Sequence, residues 1–354
     1  MIKILYFGSF DPEYSRNRVL IRGLRENGVD VSLCYDNSPY IFKYINLFLR
    51  HLKHRGRYDA MIVGFPGQKV MLLARLLTSK PIIFDVFTSH YGGYILDRKK
   101  FRENSLMATW YKWLDRKSVS ISDVALLDTD AHIDFFVENI GLSRSRFMKV
   151  LVGTDSEVFY PRDHRVSTDR FIVHFHGGYI PLQGVKCIIK AAKILENENI
   201  QFNLIGRGQT YSEDYELARG LNIKNIEFID RVSYNKLADY ITGSDICLGI
   251  FGDTPKTDLV IPNKIYEALG CGKAIITSDT AAIRELLTNE ENVLTCNKAD
   301  AVDLADKILR LKNEPELRLR LEAGSRLLFS SKLKEIDIVA NLLSELYESR
   351  ILSK

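Results

Sequence analysis

The chain has 354 residues, of which 46% are hydrophobic and 27% are charged, and its formal net charge is +4. This length predicts two domains of roughly 150 residues, and the composition excludes disordered, collagen-like and purely helical-repeat proteins. No apolar run reaches the ~18–20 residues that cross a bilayer, and the N-terminal stretch lacks the pattern of a signal peptide. The five cysteines have no C-x-x-C spacing. We therefore expect a cytoplasmic protein with buried thiols.

Positive charge is concentrated in the first part of the chain. Residues 1–160 carry 23 lysines and arginines against 17 aspartates and glutamates, whereas the remainder carries 26 against 28. An anionic partner of the first part would explain this asymmetry, and chance is the alternative. The basic residues form no stripe with interleaved aromatic residues, so we expect no nucleic-acid partner.

Short apolar runs alternate with amphipathic stretches along the first 160 residues. Six runs are predicted as buried strands, at residues 2–7, 31–35, 60–65, 82–86, 124–127 and 148–152. Between these runs, apolar residues have the spacing of helices. One such helix is predicted at residues 16–26, and Gly28 marks its end. This alternation predicts an α/β fold with a doubly wound parallel sheet.

The same alternation restarts after residues 161–170, where a proline and clustered charges indicate a linker. Strands are predicted at residues 171–175, 202–205, 226–229, 246–250, 274–277 and 293–295, and helices at 185–195, 304–311, 317–328 and 336–346. We expect domains at 1–160 and 171–335, with the segment 336–354 packing back on the first domain. Functional residues should follow the strands and face a cleft between two Rossmann-like domains.

Glycine-bearing loops follow three of the predicted strands. Gly8 follows the first strand, where a glycine lets the backbone approach a bound donor, and a tight turn is the alternative. No G-x-G-x-x-G accompanies it, which disfavours a nicotinamide dehydrogenase. The amides near Gly178 open onto a helix and would bind an anion such as a diphosphate, and an ordinary turn is the alternative. Arg207, in the loop after the next strand, would reach a phosphate or a base, or would be solvated.

The stretch 245–273 carries the most informative pattern. A buried strand leads into a loop with Lys256, and a helix begins near Asn263 after a proline. The amides of Asn263 and Lys264 would lie at the positive end of this helix, and both lysines would add charge. Glu267 lies one turn further along, where a carboxylate suits a ribose diol. A surface carboxylate is the alternative for Glu267.

Two motifs in the first domain carry candidate chemistry. Asp85 lies near the end of an apolar strand as a candidate base, and His90 is the titratable alternative, although a lone histidine is more often structural. Asp128 and Asp130 form an Asp-x-Asp that could hold a divalent metal. We prefer Asp130 as the N-cap of a helix over 131–139 and predict no metal site.

Residues 41–57 predict a basic amphipathic helix. Apolar bulk is combined there with Lys43, Arg50, Lys53, Arg55 and Arg57. Such a helix can lie on an anionic membrane surface, or it can bury one face in the domain. If this helix lies on a membrane, we expect a cytoplasmic protein that associates peripherally with the inner membrane face.

With these motifs in place, the sequence resembles the family-4 retaining glycosyltransferases of the GT-B fold over nearly its whole length. The resemblance rests on residues 152–161, 177–184 with the Ala-Ala-Lys of the following helix, 205–208 and 262–272. It implies sugar transfer from a nucleotide-sugar donor, bound to the second domain, to a glycan, polysaccharide or lipid-linked acceptor, bound mainly to the first. It implies no metal and no cofactor, because the nucleotide-sugar is a substrate.

The resemblance also implies roles for particular residues. The paired glutamates of the family end at Glu267, which implies a ribose contact, whereas the first glutamate falls on Leu259, with Asp258 beside it as a substitute. The positions of an Arg and Lys diphosphate clamp look like Tyr179 and Gln183 here. The phosphate charge would then be met by amides and by Arg207, Lys256 or Lys264.

These departures leave two alternatives open. One is a nucleotide-sugar epimerase of the same fold. The other is a non-catalytic binding partner in glycan assembly.

Overall fold

The computed structural model describes residues 1–162 and 169–352. Most of the predicted linker, residues 163–168, lies outside the described residues. The chain divides into two compact units, one of residues Met1–Gly153 with Lys334–Lys354 and one of residues Thr154–Leu333. The boundary between the two units, at Gly153 and Thr154, therefore lies several residues before the expected linker.

The first unit is built on a parallel sheet of six strands in the order β2-β1-β3-β4-β5-β6. The strands are β1 (Lys3–Gly8), β2 (Asp30–Tyr35), β3 (Ala60–Val63), β4 (Ile82–Asp85), β5 (Val124–Leu127) and β6 (Phe147–Lys149). The helices are α1 (Ser15–Glu26), α2 (Phe42–Leu52), α3 (Met71–Leu77), α4 (Leu106–Ser120) and α5 (Asp130–Phe135). The central strands are apolar and buried because helices cover both faces of a parallel sheet.

The second unit repeats this plan with the strand order β12-β11-β10-β7-β8-β9. The strands are β7 (Phe171–His176), β8 (Ile200–Ile205), β9 (Ile226–Ile229), β10 (Ile246–Leu248), β11 (Ala274–Ser278) and β12 (Leu294–Cys296). The helices are α6 (Val185–Ile194), α7 (Tyr211–Gly220), α8 (Tyr234–Thr242), α9 (Asn263–Gly270), α10 (Ala281–Arg284), α11 (Ala301–Asn313) and α12 (Pro315–Lys332). The prediction of two Rossmann-like parallel-sheet domains is confirmed.

The last helix, α13 (Glu335–Glu348), belongs to the first unit, where it packs against α1. The two helices approach closely at Gly23, where a Cβ atom would lie 2.3 Å from the carbonyl oxygen of Glu335. Apolar side chains of α13, among them Val339 and Leu342, join the core that α1 forms with the sheet.

The structure also answers two expectations drawn from composition. All five cysteines are buried and free. Within residues 1–162 and 169–352, none of the helices combines the length and the hydropathy that a bilayer span requires.

Candidate functional site

Three loops meet at the carboxyl edge of the second sheet, after β7, β8 and β10. Their backbones pack directly on one another. A Cβ atom on Gly206 would lie 2.1 Å from the carbonyl oxygen of Gly177, and one on Gly208 would lie 2.4 Å from that of Tyr179. Glycine is required at these positions because any side chain would collide with main chain, which does not give way. The loops therefore form one packed surface.

The loop after β7 leaves open space beside a buried ammonium group. A Cβ atom on Gly178 would meet no heavy atom within 4 Å, whereas one on Gly177 would lie 3.0 Å from Nζ of Lys264. The backbone at Gly178 is exposed, so a ligand atom can approach it without displacing protein.

Lys264 lies in the first turn of α9 and is only 6% exposed. Its ammonium donates hydrogen bonds to Oε1 of Gln183 and to the carbonyl oxygen of Gly249, and it lies 3.7 Å from the centre of the Phe175 ring. Within the part of the chain that the structure describes, no carboxylate forms a salt bridge with it. Burial lowers the pKa of Lys264 well below its usual value, and the charge of Glu267 opposes that shift. A buried cation with neutral oxygen partners is a site prepared for an anion.

A chain of buried hydrogen bonds connects Glu267 to β7. Oε2 of Glu267 lies 2.6 Å from Nε2 of His176, and Nδ1 of His176 lies 2.9 Å from Nε2 of His174. An ionised Glu267 accepts from Nε2–H of His176, and in the neutral tautomer of His176 that makes this bond, Nδ1 accepts from Nε2–H of His174. Burial lowers the pKa of His174 well below its usual value, which keeps that ring neutral. The two histidines therefore hold the Glu267 carboxylate in one orientation.

Sequence reasoning did not assign a role to either histidine. The signal that could have found them is the His-x-His spacing, since residues two apart in a strand point to the same face of the sheet. Glu267 itself was a candidate, and the structure brings it to the same edge as Lys264.

The N-terminus of α9 adds backbone donors at this edge. Pro262 precedes the helix without a capping side chain, and Asn263 is its first residue. Amides in a first helical turn have no partner within the helix and attract anions. Asn263 is half-buried and Lys264 is buried, so this turn lies partly inside the unit.

Two other predicted donor contacts, Arg207 and Lys256, and the catalytic candidate Asp258 lie in the loops after β8 and β10. The guanidinium of Arg207 pairs with Asp230 and lies 3.8 Å from the centre of the Tyr211 ring. Asp258 pairs with Lys298, with an O to N distance of 2.6 Å. Lys256 lies half-buried in the short helical turn Pro255–Asp258.

The structure changes the expected roles of Tyr179 and Gln183. The Tyr179 side chain is fully buried among Phe175 and Tyr211, so its ring belongs to the core and only its backbone reaches the loop surface. A contact between Tyr179 and a donor would therefore be made by its backbone. Gln183 is buried as well. Its side-chain oxygen accepts a hydrogen bond from the ammonium of Lys264, so it acts by holding that group in place.

Asp85, predicted as a catalytic base, is instead one half of a buried ion pair. Its carboxylate is fully buried and accepts from Nε and Nη2 of Arg16, at 3.1 and 2.9 Å from Oδ1. Arg16 also donates to the carbonyl oxygens of Val150 and Leu151. Burial raises the pKa of Asp85, and the Arg16 guanidinium counteracts that effect. A carboxylate enclosed in this way joins α1, β4 and the end of β6, and it cannot meet a substrate.

His90 lies in a stacked aromatic group near a buried carboxylate. Its ring centroid lies 5.6 Å from that of Tyr94 and 5.9 Å from that of Tyr111. Nδ1 of His90 lies 3.7 Å from Oδ1 of Asp115. Asp115, which sequence reasoning missed, accepts from Oγ of Ser89 at 2.6 Å and from two backbone amides, so it fixes the loop that carries His90. His90 is partly accessible and stays a candidate.

Gly8 ends β1 with a φ of +139°, a conformation that favours glycine. A Cβ atom there would make ordinary contacts only, at 3.5 Å from Val70. The backbone conformation, not a close contact, therefore explains this glycine.

The Asp-x-Asp motif has a structural role in the first unit. The N-cap of α5 is Thr129, whose side chain accepts from the amide of His132, so the prediction that Asp130 caps this helix is wrong. Asp128 pairs with Nδ1 of His132 at 2.9 Å, and Asp130 pairs with Arg144 and Lys149. No cluster of three or more potential metal-binding side chains occurs among the residues with described positions.

Comparison with known proteins agrees with this architecture. The chain is similar over 98% of its length to Anabaena HepE in complex with UDP and glucose (TM-score 0.75, 13% identity, 99% of that chain). It is also similar over 99% of its length to sucrose-phosphate synthase from Thermosynechococcus elongatus (TM-score 0.76, 16% identity, 99% of that chain). These likenesses define the fold as GT-B.

Sequence similarity is concentrated in the second unit. Residues 170–314, which lie within it, match the family model described as Glycosyl transferases group 1. An uncharacterized glycosyltransferase of Methanocaldococcus jannaschii is 25% identical over 50% of this chain and 47% of its own length. The lipopolysaccharide core biosynthesis glycosyltransferase LpsD of Rhizobium meliloti is 28% identical over 46% of this chain and 45% of its own. The chain spans about half the length of these two curated relatives.

Proposed function

We propose that the chain is a retaining, metal-independent glycosyltransferase that moves a sugar from a nucleotide-sugar to a glycan, polysaccharide or lipid-linked acceptor. The observation that carries the proposal is the buried ammonium of Lys264 beside the open Gly177–Gly178 loop. A buried cation without a salt bridge is costly unless an anion completes it. The diphosphate of a nucleotide-sugar supplies that anion.

The same groups explain how transfer would be accelerated. As the bond between the sugar and the diphosphate breaks, negative charge grows on the departing diphosphate. The Lys264 ammonium and the free amides at the start of α9 are fixed in position and stabilise that charge, which is commonly the largest catalytic contribution. In a retaining reaction the acceptor hydroxyl attacks from the leaving-group side, and its proton passes to the diphosphate.

Glu267 would recognise the nucleoside. A carboxylate held by His176 presents its remaining lone pairs in a fixed direction, which suits a bidentate contact with the two hydroxyls of a ribose. Arg207 and Lys256, in the loops after β8 and β10, would add charge near the phosphates, and Asp258 and His90 are the candidate catalytic side chains.

Two similar proteins support the proposed substrate classes. One relative, from Campylobacter jejuni, is an N-acetylgalactosaminyltransferase whose acceptor is a sugar on diphospho-undecaprenol, at 23% identity over 52% of this chain. The similar Anabaena structure holds UDP and glucose. We extend both to this chain as a proposal: a UDP-sugar donor and a lipid-linked acceptor.

The test is a calorimetric titration with UDP, preceded by a thermal-shift screen of common nucleotide-sugars. Glu267→Ala should weaken UDP binding by more than about tenfold, because a carboxylate hydrogen-bonded to a diol contributes roughly 1.5–3 kcal/mol. Glu213→Ala, an exposed carboxylate on α7, is the matched control and should leave the affinity unchanged. Equal affinities for wild type and Glu267→Ala would remove Glu267 from the nucleotide site.

Two other activities are distinguished by product analysis. Leu259, Tyr179 and Gln183 stand where the resemblance implies charged residues, which is the reason to consider a non-catalytic binding partner. An epimerase of the same fold is the other alternative. Incubating the donor without acceptor yields isomerised sugar from an epimerase. A glycosyltransferase releases UDP, slowly by hydrolysis and faster with an acceptor, and a binding partner yields neither product.

A further inference from the structure

The apolar stripe of α2 faces solvent. Leu47 and His51 are the buried positions of this helix. Exposed apolar side chains recur every three or four residues along and just before it, at Ile41, Phe42, Ile45, Phe48, Leu49 and Leu52. This is the reverse of the usual arrangement, in which a surface helix turns its apolar stripe to the core. The helix thus buries one narrow face in the domain, and most of its apolar side chains lie outside the core.

Two neighbouring helices show the same reversal. On α3, Leu72 and Leu76 are one turn apart and exposed, Leu76 to 84%. On α4, Leu106, Trp110 and Trp113 recur at i, i+4 and i+7, and Leu106 is 90% exposed. The two indole rings stack on each other in solvent, with centroids 5.0 Å apart. Single exposed apolar residues are common on protein surfaces, whereas rows of them on three helices are not.

These three helices lie on one face of the first unit. The chain steps in the same direction across the sheet from β2 to β3, to β4 and to β5, and right-handed crossovers place the connecting helices on the same side. Contacts agree with this, because α2 packs against α3 and the short turn Gln68–Val70 that precedes α3 packs against α4. We call the outward side of α2, α3 and α4 the apolar face.

The charge around the apolar face is strongly positive. Residues 40–120 contain 15 lysines and arginines against five aspartates and glutamates. Three of those carboxylates, Asp85, Asp97 and Asp115, are fully buried. The exposed basic residues are Arg50, Lys53, Arg55, Arg57, Lys69, Lys80, Lys99, Lys100, Arg102, Lys112, Arg116 and Lys117. Apolar stripes combined with exposed lysine and arginine match the surface of an anionic bilayer, where tryptophan prefers the headgroup level.

We propose that the apolar face binds the surface of an anionic lipid bilayer, with α2, α3 and α4 inserting their outward side chains together. The proposal extends the membrane reading of residues 41–57 to two further helices and to both tryptophans. It does not depend on the glycosyltransferase activity, because binding to lipid is measured without any sugar donor.

The chain contains its own reporter for the test. Trp110 and Trp113 are the only two tryptophans of the sequence. Adding vesicles that contain phosphatidylglycerol should shift the tryptophan emission of the wild-type protein to the blue, and lipids brominated on their acyl chains should quench it. Vesicles of phosphatidylcholine alone should have a much smaller effect. Unchanged emission and no quenching with anionic vesicles would overturn the proposal.

Variants on α2 leave the reporter in place. Ile45→Ser with Phe48→Ser and Leu49→Ser should weaken partition onto anionic vesicles by about tenfold or more. The matched control, Leu327→Ser with Val302→Ser, removes exposed apolar side chains from the second unit and should partition like wild type. Equal losses in both variants would overturn the proposal.

Charge and self-association are tested in the same assay. Lys53→Glu with Arg55→Glu should reduce binding at low salt, whereas Lys224→Glu with Lys236→Glu, in the second unit, should not. If a second copy of the chain covers the apolar face instead, the blue shift will appear without vesicles and will grow with protein concentration. That outcome would also overturn the proposal.

Discussion

At the scale of single residues, Lys264 is placed where stability and ligand binding conflict. Its ammonium is buried, with two neutral oxygens and an aromatic ring as partners. Enclosing a charge in this way costs free energy in the ligand-free protein. A bound diphosphate would offset that cost, so burial of this charge favours binding of an anion.

The first prediction follows from this conflict. Lys264→Met keeps the length of the side chain and removes its charge, so the ligand-free protein should gain about 1 kcal/mol or more in its free energy of unfolding. The same variant should bind UDP about tenfold or more weakly, because a charge-assisted contact is lost. Chemical denaturation and calorimetry measure the two effects. The exposed Lys190→Met should change neither, and a destabilised Lys264→Met that binds UDP normally would contradict the assignment.

The lowered pKa of Lys264 gives this prediction a pH dependence. The unfolded chain holds this proton up to a pKa of about 10.4, whereas the folded protein releases it at lower pH. The unfolded state therefore binds more protons between those two values, and this group makes stability rise with pH there. Lys264→Met should lack that rise, and its stabilising effect should shrink as the pH approaches 10.

Single residues also show where sequence reasoning reached its limit. Asp85 and Glu267 look alike in the sequence, since each is a carboxylate in or just after an element that should present ligands. Only the fold shows that Arg16, 69 positions away in the chain, encloses Asp85. A buried partner from another element leaves no local pattern, so Asp85 was mistaken for a site residue and His176 was overlooked.

At the scale of elements, the candidate site depends on loops that touch through their backbones. Glycines make this possible, and the loop after β8 supports the loop after β7 at Gly206 and Gly177. The sequence did reveal glycines after the predicted strands. It could not tell a glycine that leaves space for a ligand, such as Gly178, from one that leaves space for another loop, such as Gly206.

The second prediction separates these two uses. Gly206→Ala places a Cβ atom 2.1 Å from a carbonyl oxygen at a φ of +129°, so the Gly177–Gly178 loop must move. We expect a loss of about 1–3 kcal/mol in stability together with weaker UDP binding. Gly220→Ala, at the end of α7, meets no atom within 4 Å and should be neutral in both measurements. Normal UDP binding by Gly206→Ala would show that the loop after β7 does not form the nucleotide site.

At the scale of the whole molecule, the sequence predicted the architecture well. Each predicted strand is present, because a strand buried on both faces is a short apolar run between polar or glycine residues, and that pattern is local. The division into units was harder to locate. It falls at Gly153, within the apolar stretch that leaves β6, since contacts made across the chain and not composition define a compact unit.

The last prediction concerns the stability of the two units, each of which has its own core. Gly23→Val drives a side chain into α13, 2.3 Å from the carbonyl oxygen of Glu335, so amides of α1 and α13 should exchange hydrogen faster. Gly324→Val is the reciprocal control, because a Cβ there would lie 2.0 Å from the carbonyl oxygen of Glu291 in the second unit. It should accelerate exchange in α12 and leave α13 protected. Equal acceleration in both units by either variant would show that they unfold as one cooperative body.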